Sequence, residues 1–527
     1  MKFSTLCNYR VRDRVALSSI FAIAIALRLV NLGGRPLWYD EAFAVLYAEK
    51  SFSTMLRGTL TPVHGVAADV HPLLYYAILH LWMQLFGQSP VAVRALSVLL
   101  GIATVGIAYR VGRLLYDQRS GLGAAFLVAC APFAVYYSQE ARMYALLGLA
   151  AMAMTYFFAR AWMRGGWLTW FVVGLCGAIV LYAHNLGFAF ILGLDTWVAW
   201  EWLKPNGVRW RNKLPLILTH LLMLILFAPW LLAVPGQFGK VQQGYWVAQP
   251  GLIQLIQTLF IFHFAYDNQA LPAWLLPPAL FFSVLLVLLC TLTLWRQRRT
   301  ISGRSFPSPE ALLLTLSTVP IGVLFVVSQL SPVYVVRALL PSALTYYVLL
   351  AGLWVHGAWP KLVRWGVLFS CALIVTFSLW NHYTYIGFPR APFERVASFL
   401  RAHYQAGDII VHSNKLSFFP THYYDRMLPQ SFVADPPGSP SDTLAYPTQE
   451  ALGLFAAPDM ATAVRGHERV WFVIFHRAVE EYRAAGYRDH PHRLWLEQRY
   501  TLVSLHAFGD LDVAGYILRT PPLAQDR

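Results

Sequence analysis

Charge is scarce in this chain. Charged residues make up 13% of its 527 positions against 57% hydrophobic, and the mean hydropathy is +0.49. Soluble domains carry about 25% charged residues, so a soluble globular enzyme is excluded and a polytopic membrane protein is expected. Cysteine is also rare. Cys7, Cys130, Cys176, Cys290 and Cys371 lie in the N-terminal tail or in apolar runs, and none lies in the polar C-terminal region. That placement argues against a disulfide framework or a thiolate metal site and leaves the five as packing residues. No internal repeat, heptad or low-complexity tract is present. No cleavable leader is expected either, because the first apolar run is long, lacks a small-residue cleavage site and reads as a signal anchor. The formal charge of +15 does not imply a nucleic-acid partner. Much of the Lys and Arg falls in short clusters between apolar runs, where it reports topology.

What is there are runs of about 20 apolar residues, each the length of a membrane-spanning helix. Arg10, Arg12 and Arg14 precede the first, about Val15 to Gly33, so they are placed in the cytoplasm and the span exits outward. The first external loop, about 34–90, holds two amphipathic pieces near Ala42–Leu56 and Pro72–Gly87, each too short to cross and each expected to lie at the interface. The second span runs from about Val91 to the cytoplasmic Arg110, Arg113 and Arg119. The third, about Gly121 to Tyr137, presents Ser138, Gln139, Glu140 and Arg142 outside. Arg160 and Arg164 mark the inside, His184 and Asn185 the outside, and Lys204, Arg209, Arg211 and Lys213 the inside again. Later spans leave Gln237–Ile261 and Ser331–Pro341 outside, and Arg296, Arg298, Arg299, Lys361 and Arg364 inside. The last span reaches Trp380. About eleven crossings result, and an odd number places the C-terminus outside.

The expected fold is therefore an α-helical polytopic membrane module over 1–381, with interfacial helices in its first external loop, and a C-terminal extracytoplasmic α/β domain over 382–527. In the latter, Asp408–Ser413 and Val470–Phe475 read as buried strands, Phe393–His403 and Arg477–Ala485 as helices, and Pro436–Asp442 as a loop.

Separate spans deliver ionisable groups to one predicted face. Asp40 and Glu41, in the stretch Trp38–Glu41, precede an amphipathic helix whose dipole favours carboxylates at its start. A bland reading makes Asp40 an N-cap. Asp69 and His71 open the second piece, where Asp69 is again a candidate cap and His71 a surface histidine. Glu140 and Arg142 could form an exposed ion pair worth at most about 1 kcal/mol, His184 could be an interfacial polar residue, and Arg337 a headgroup anchor. Each bland reading stands alone well, but together they leave the common face unexplained.

A sugar linked to a polyprenyl phosphate offers a leaving group that departs as a weakly basic anion, so little acid assistance is required. Transfer then needs a carboxylate to accept a proton from the attacking hydroxyl, cations to neutralise the departing phosphate, and an apolar groove for the lipid. Asp40 as base, Arg337, His71 and Arg142 as cations, and the spans as groove supply all three. Attack opposite the phosphate inverts the anomeric centre.

The segments PLWYDEAF, DVHPLLYYAILHLWMQLFG and YYSQEARMYALL, in that order over roughly the first 190 residues, resemble the C-type integral-membrane glycosyltransferases of the protein mannosyltransferase and aminoarabinose transferase group. VYVVRALLP and RAPFERVASFLRAHYQAGDII are also similar to bacterial members. The resemblance implies a polyprenyl-phosphate-sugar donor, a membrane-lipid environment in a bacterial inner membrane, an extracytoplasmic active site and acceptor, and metal-independent or weakly metal-dependent transfer. It implies Asp40 as base with Glu41 beside it, and Glu140 as the second acidic position. Asp69, His71, Arg142, Tyr144, His184 and Arg337 are the candidate substrate or lipid-phosphate contacts. Many relatives carry two prolines after the histidine, whereas Leu73 follows Pro72 here.

No cofactor or metal is assigned. Asp40, Glu41, Glu140, Asp69 and the histidines are donors suited to magnesium or manganese, but no spacing demands a metal. The rival class is a transporter or flippase of lipid-linked sugars. It would be equally polytopic and basic, yet it would place ionisable groups mid-span or in repeated halves. Arg28 is the clearest charge within an apolar run, near its outer end. A third reading, a binding module on a membrane anchor, leaves most of the spans superfluous.

Overall fold

Apolar runs too long for strands fold as helices along the first 384 residues of the computed structural model. The structure describes residues 2–204, 212–243, 247–267, 270–297, 309–436 and 443–519. Arg209, Arg211, Arg298, Arg299 and all but the first residue of the loop expected at Pro436–Asp442 lie outside the described residues. The chain divides into two units. One comprises Met1–Leu32, Val70–Gln242 and Val247–Thr384, the other Gly33–Asp69, Gln243–Trp246 and Tyr385–Arg527.

In chain order, α1 (Lys2–Leu29) opens the first unit. The second unit then contributes α2 (Tyr39–Ala48), α3 (Phe52–Leu60) and a hairpin of β1 (Pro62–Val63) and β2 (Val66–Ala67). The first unit resumes with α4 (Leu74–Phe86), α5 (Pro90–Leu115), α6 (Gln118–Cys130), α7 (Pro132–Ser138), α8 (Tyr144–Arg164) and α9 (Trp167–Ala183). It continues through α10 (Phe188–Leu203), α11 (Lys213–Leu231), α12 (Val234–Gln243) and α13 (Leu252–Phe264), and ends with α14 (Leu276–Gln297), α15 (Pro309–Val327), α16 (Leu340–His356) and α17 (Lys361–Thr384). Among the described residues, eight helices are long and apolar enough to cross a membrane, or nine if the bent pair α6 and α7 is one span. The protein is thus a multi-pass membrane protein. The expected first span falls in α1, which also carries Arg12, Asp13, Arg14 and Arg28, and α9 has only 17 residues. Leu280, Phe281, Val284 and Leu288 on α14, and Leu362, Trp365 and Phe369 on α17, face outward, as lipid contact requires.

The third span is broken. Pro132 has no N–H to offer the carbonyl of Val128, and a 61° bend separates α6 from α7. The fully buried Arg28 fills the gap. Its guanidinium donates to the carbonyls of Val128 at 3.1 Å and Ala129 at 3.0 Å. It also donates to Ala24 O at 3.2 Å and Ser138 Oγ at 3.1 Å. Gly101 makes room, since a Cβ there would stand 2.1 Å from Ser138 Oγ. Beyond Ser138, Gln139 donates to the carbonyls of Arg28 and Val30 at 2.9 Å each, and its Oε1 lies 2.8 Å from His382 Nε2. The chain that continues into Glu140 and Arg142 therefore leaves a fixed point.

In the second unit, the piece expected as one interfacial helix near Ala42–Leu56 is two helices. Ser51 caps α3 by accepting from the Thr54 N–H, which ends the preceding helical run. Residues Glu41–Ala48 of α2 are all buried, because the sequence AFAVLYA is apolar around the whole helix and offers no wet face. The hairpin after α3 turns on His64 and Gly65, both with positive φ (50° and 81°), as a two-residue type I′ turn demands.

The rest of this unit comprises α18 (Phe393–His403), β3 (Ile409–His412), α19 (Lys415–Tyr424), β4 (Gln430–Val433), α20 (Tyr446–Leu452), β5 (Ala456–Ala457) and α21 (Met460–Ala463). It closes with β6 (Arg469–Phe475), α22 (His476–Ala484), α23 (Pro491–Arg499), β7 (Tyr500–Phe508) and β8 (Leu511–Leu518). The sheet order is β5-β4-β3-β6-β8-β7. The first four strands are parallel, and β8 and β7 are added antiparallel. The expected strands and helices correspond to β3, β6, α18 and α22. The final hairpin was legible as alternating TLVSLHAF and LDVAGYIL around Gly509-Asp510, with Gly509 at φ 61°, but the sequence analysis missed it. One core packs Val411, Val470, Phe472, Ile474 and Tyr516 on one sheet face; Ile410, Trp471, Val473 and Val513 join Phe393 and Leu400 in another.

Arg28→Met should unpair two buried carbonyls at about 1–3 kcal/mol each, lowering the unfolding midpoint of the purified protein, with Arg28→Lys in between. In the sheet unit, burial pushes His412 down to about 3, against the opposing effect of its Gln430 hydrogen bond, and burial with the neighbouring His492 pushes His490 down to about 3. Both rings stay neutral in the fold while the unfolded chain takes up protons below about 6.5. Their contribution is therefore full above pH 6.5 and is lost as the pH falls towards 3, by up to about 1.4 kcal/mol per pH unit for each ring. Hydrogen exchange of β3 in the intact protein should accelerate through that window, and His412→Gln should flatten the response.

Candidate functional site

Of the nine candidate residues, Asp40, Glu41 and Asp69 belong to the second unit and His71, Glu140, Arg142, Tyr144, His184 and Arg337 to the first. In the first unit, loops at the ends of five helices bring most of the latter set together. Arg142, in the tight link between α7 and α8, donates from Nη1 to Tyr76 OH at 3.3 Å, and its Nη2 lies 3.5 Å from His71 Nε2. The His71 and His184 rings are 6.3 Å apart edge to face. The ring of Tyr144, at the start of α8, is 6.0 Å from that of His184 and 5.5 Å from the Arg337 guanidinium above its face. Arg337 stands in the short helical turn Val336–Leu339 that leads into α16.

Arg142, Tyr144 and Glu140 are buried, whereas His71, His184 and Arg337 are half-buried. Glu140 is tied to Arg142 through the backbone, the Arg142 N–H donating to its carbonyl at 2.8 Å. His184 Nδ1 accepts the Leu186 N–H at 3.1 Å, so the ring's proton sits on Nε2. Desolvation, then the neighbouring His71 and the positive charges of Arg337 and Arg142, hold His184 well below the ordinary histidine value. Its ring is neutral beside two guanidinium groups. Such a cluster of cations, imidazoles and phenols suits an anionic oxygen ligand of the phosphate type. Sequence reasoning missed Tyr76 and Gln237. Asn185, on α10's threshold, donates to Val70 O and Gln237 Oε1 at 2.9 Å each, bracing the segment that carries His71.

In the second unit, Asp40 and Glu41 stand in the first turn of α2, where the helix dipole favours negative charge. Neither is the cap. The N-cap is Trp38, which makes no side-chain capping bond. The two carboxylates have unlike surroundings. Asp40 is half-exposed, while Glu41 is fully buried with its Oε2 3.0 Å from Arg390 Nη1. Asp69 is half-buried, and its N–H donates to Thr59 O at 3.1 Å. It does not cap α4, whose N-cap is Leu73. Among the described residues, no three His, Cys, Asp or Glu side chains are grouped as a metal cage.

Residues 70–232 match the family model of dolichyl-phosphate-mannose-protein mannosyltransferases. An undecaprenyl phosphate-alpha-4-amino-4-deoxy-L-arabinose arabinosyl transferase of Pseudomonas fluorescens is 27% identical over 345 residues, covering 60% of this chain and 56% of that protein. A Pseudomonas paraeruginosa counterpart is 28% identical over 43% of this chain and 41% of its own length. The chain thus spans about half the length of the curated relatives it matches. Among solved structures, apo ArnT from Cupriavidus metallidurans superposes with a TM-score of 0.60 at 14% identity, over 94% of this chain and 97% of that one. The archaeal oligosaccharyltransferase AglB from Archaeoglobus fulgidus does so with 0.56 at 11% identity, over 98% and 75%. The matched sequence is thus similar to that of mannosyl and aminoarabinosyl transferases, and the fold is similar to that of ArnT and AglB.

Proposed function

We propose that the protein transfers one sugar, a pentose or a hexose, from a polyprenyl-phosphate carrier to a hydroxyl of an extracytoplasmic acceptor, in the inner membrane of a bacterium and with its C-terminal unit outside. The observation that carries this reading is the cluster of Arg142, His71, His184, Tyr144 and Arg337 in the membrane unit, where two permanent cations and two imidazoles surround phenol rings. A departing lipid phosphate is doubly charged, and paired guanidinium groups answer that charge through charge-assisted hydrogen bonds. Further support comes from relatives. Cupriavidus metallidurans ArnT has been solved bound to undecaprenyl phosphate and AglB with a dolichol-phosphate. The arabinosyl transferases act on an undecaprenyl-phosphate-linked aminoarabinose.

Asp40 is the proposed base. It is half-exposed, which a proton acceptor for an incoming hydroxyl requires, and the reaction inverts the anomeric carbon. Phosphate leaves as the anion held by Arg142 and Arg337, with no acid needed at the leaving oxygen. Glu140 and Asp69 serve as polar contacts to the sugar or acceptor. Charge neutralisation by arginine makes a resident metal unnecessary.

Reconstitution of the full chain with undecaprenyl-phosphate pentoses and hexoses and a panel of acceptors tests the reading. Asp40→Asn should slow transfer by about 10²–10⁴-fold while leaving undecaprenyl-phosphate binding unchanged, and Arg337→Met or Arg142→Met should weaken that binding by about tenfold or more. Equal transfer by wild type and Asp40→Asn would remove Asp40 as base. Translocation of the lipid-linked sugar without transfer would favour the flippase.

A further inference from the structure

The start of α2 lacks a side-chain cap, yet its residues are held from the C-terminal part of their own unit. Tyr424 OH accepts the Leu37 N–H at 3.0 Å. The Arg390 guanidinium lies 5.7 Å from the Trp38 ring. Lys415 Nζ stands 5.5 Å from the Tyr39 ring, whose edge meets Phe419 at 5.7 Å. Arg390 Nη1 bonds Glu41 Oε2 at 3.0 Å across 349 residues of sequence. Farther along, Arg426 pairs with Glu49. Lys415, Phe419 and Tyr424 all come from α19, and Arg390 from the segment before α18. Residues 37, 38, 39 and 41 are thus each held, and Asp40 stands between them half-exposed.

We infer that Arg390, seconded by α19, is a positioning residue that fixes the orientation of Asp40, and that Glu41 is its structural partner and takes no proton in the reaction. The inference rests on the reading of Asp40 as base. A pair this deeply buried, with both side chains 3% exposed or less, is a poor device for stability alone, because desolvation offsets most of the attraction. It does fix geometry, since a carboxylate and a guanidinium withdrawn from water have one favourable arrangement. Glu41 is enclosed, whereas a general base must reach the hydroxyl it deprotonates. The C-terminal part of this unit thereby acquires a task in the chemistry: its α19 and the segment before α18 hold the turn that carries the carboxylate.

The test uses the full chain in lipid nanodiscs with Arg390→Met, Arg390→Lys, Glu41→Gln and the double Glu41→Gln/Arg390→Met. Arg390→Met should raise hydrogen exchange over residues 39–48 by about tenfold. It should also lower kcat by about 100-fold with the donor KM unchanged. The double variant should recover at least about tenfold of that loss, because no unpaired charge remains buried, and Arg390→Lys should recover part of it. A double variant that recovers nothing relative to Arg390→Met would assign Glu41 to proton transfer and overturn the inference. So would unaltered exchange over 39–48 in Arg390→Met. If wild type transfers no sugar, the glycosyltransferase reading fails, and the exchange data still decide whether Arg390 holds α2.

Discussion

A peptide carbonyl without a donor is costly in hydrocarbon, where no water stands in for the missing partner. The third span creates that situation when Pro132 interrupts it, and a single side chain resolves it. Arg28 reaches from α1 to the carbonyls of Val128 and Ala129 and to Ser138. It therefore joins α1 to the bent pair of α6 and α7 and fixes where α7 releases its chain. Glu140, Arg142 and Tyr144 follow directly, and their placement depends on that plug. A charge inside an apolar run reads most simply as a transport residue. Here its hydrogen-bonding capacity is spent on backbone and a hydroxyl, which makes it part of the scaffold.

Polar groups gather at the helix ends of the membrane unit for a related reason. Each of Arg142, His71, His184 and Arg337 lies at the end of a helix, where a polar group escapes the hydrocarbon and where loops from different helices meet. Aromatic rings separate the cations. Tyr144 offers its face to Arg337, and the neutral His184 sits between His71 and Tyr144. Cations spaced by rings avoid the repulsion of direct contact and leave donor groups for an anion. The second unit obeys another rule, that a buried charge must be paired. Glu41 is fully buried against Arg390, whereas Asp40 is only partly buried, so two neighbouring carboxylates have unlike surroundings.

Periodicity carried much of the fold. Apolar runs predicted the spans, and Phe393–His403, Asp408–Ser413 and Val470–Phe475 were readable as the helix and strands of the sheet unit. The final hairpin was readable from its sequence around Gly509-Asp510, although β7 is mostly exposed and only β8 is buried along most of its length. The break at Ser51 was visible only as a capping serine within an amphipathic pattern. Arg390 opens the segment RAPFERVASFLRAHYQAGDII, yet no local pattern gave it a role. It stands in a Pro-rich stretch, and nothing near it in the chain shows that its partner is 349 positions earlier.

Composition and charge order determined by themselves that the chain crosses a membrane many times and which residues are candidates for the outer face, because hydrocarbon admits only long apolar helices and leaves charge at their ends. The unlike burial of Asp40 and Glu41, the filling of the bend between α6 and α7 by Arg28, and the stacking of Arg337 on Tyr144 were decided by tertiary structure alone. Each depends on distances between side chains far apart in sequence. Burial and pairing, which set what an ionisable group does, exist only once those distances do.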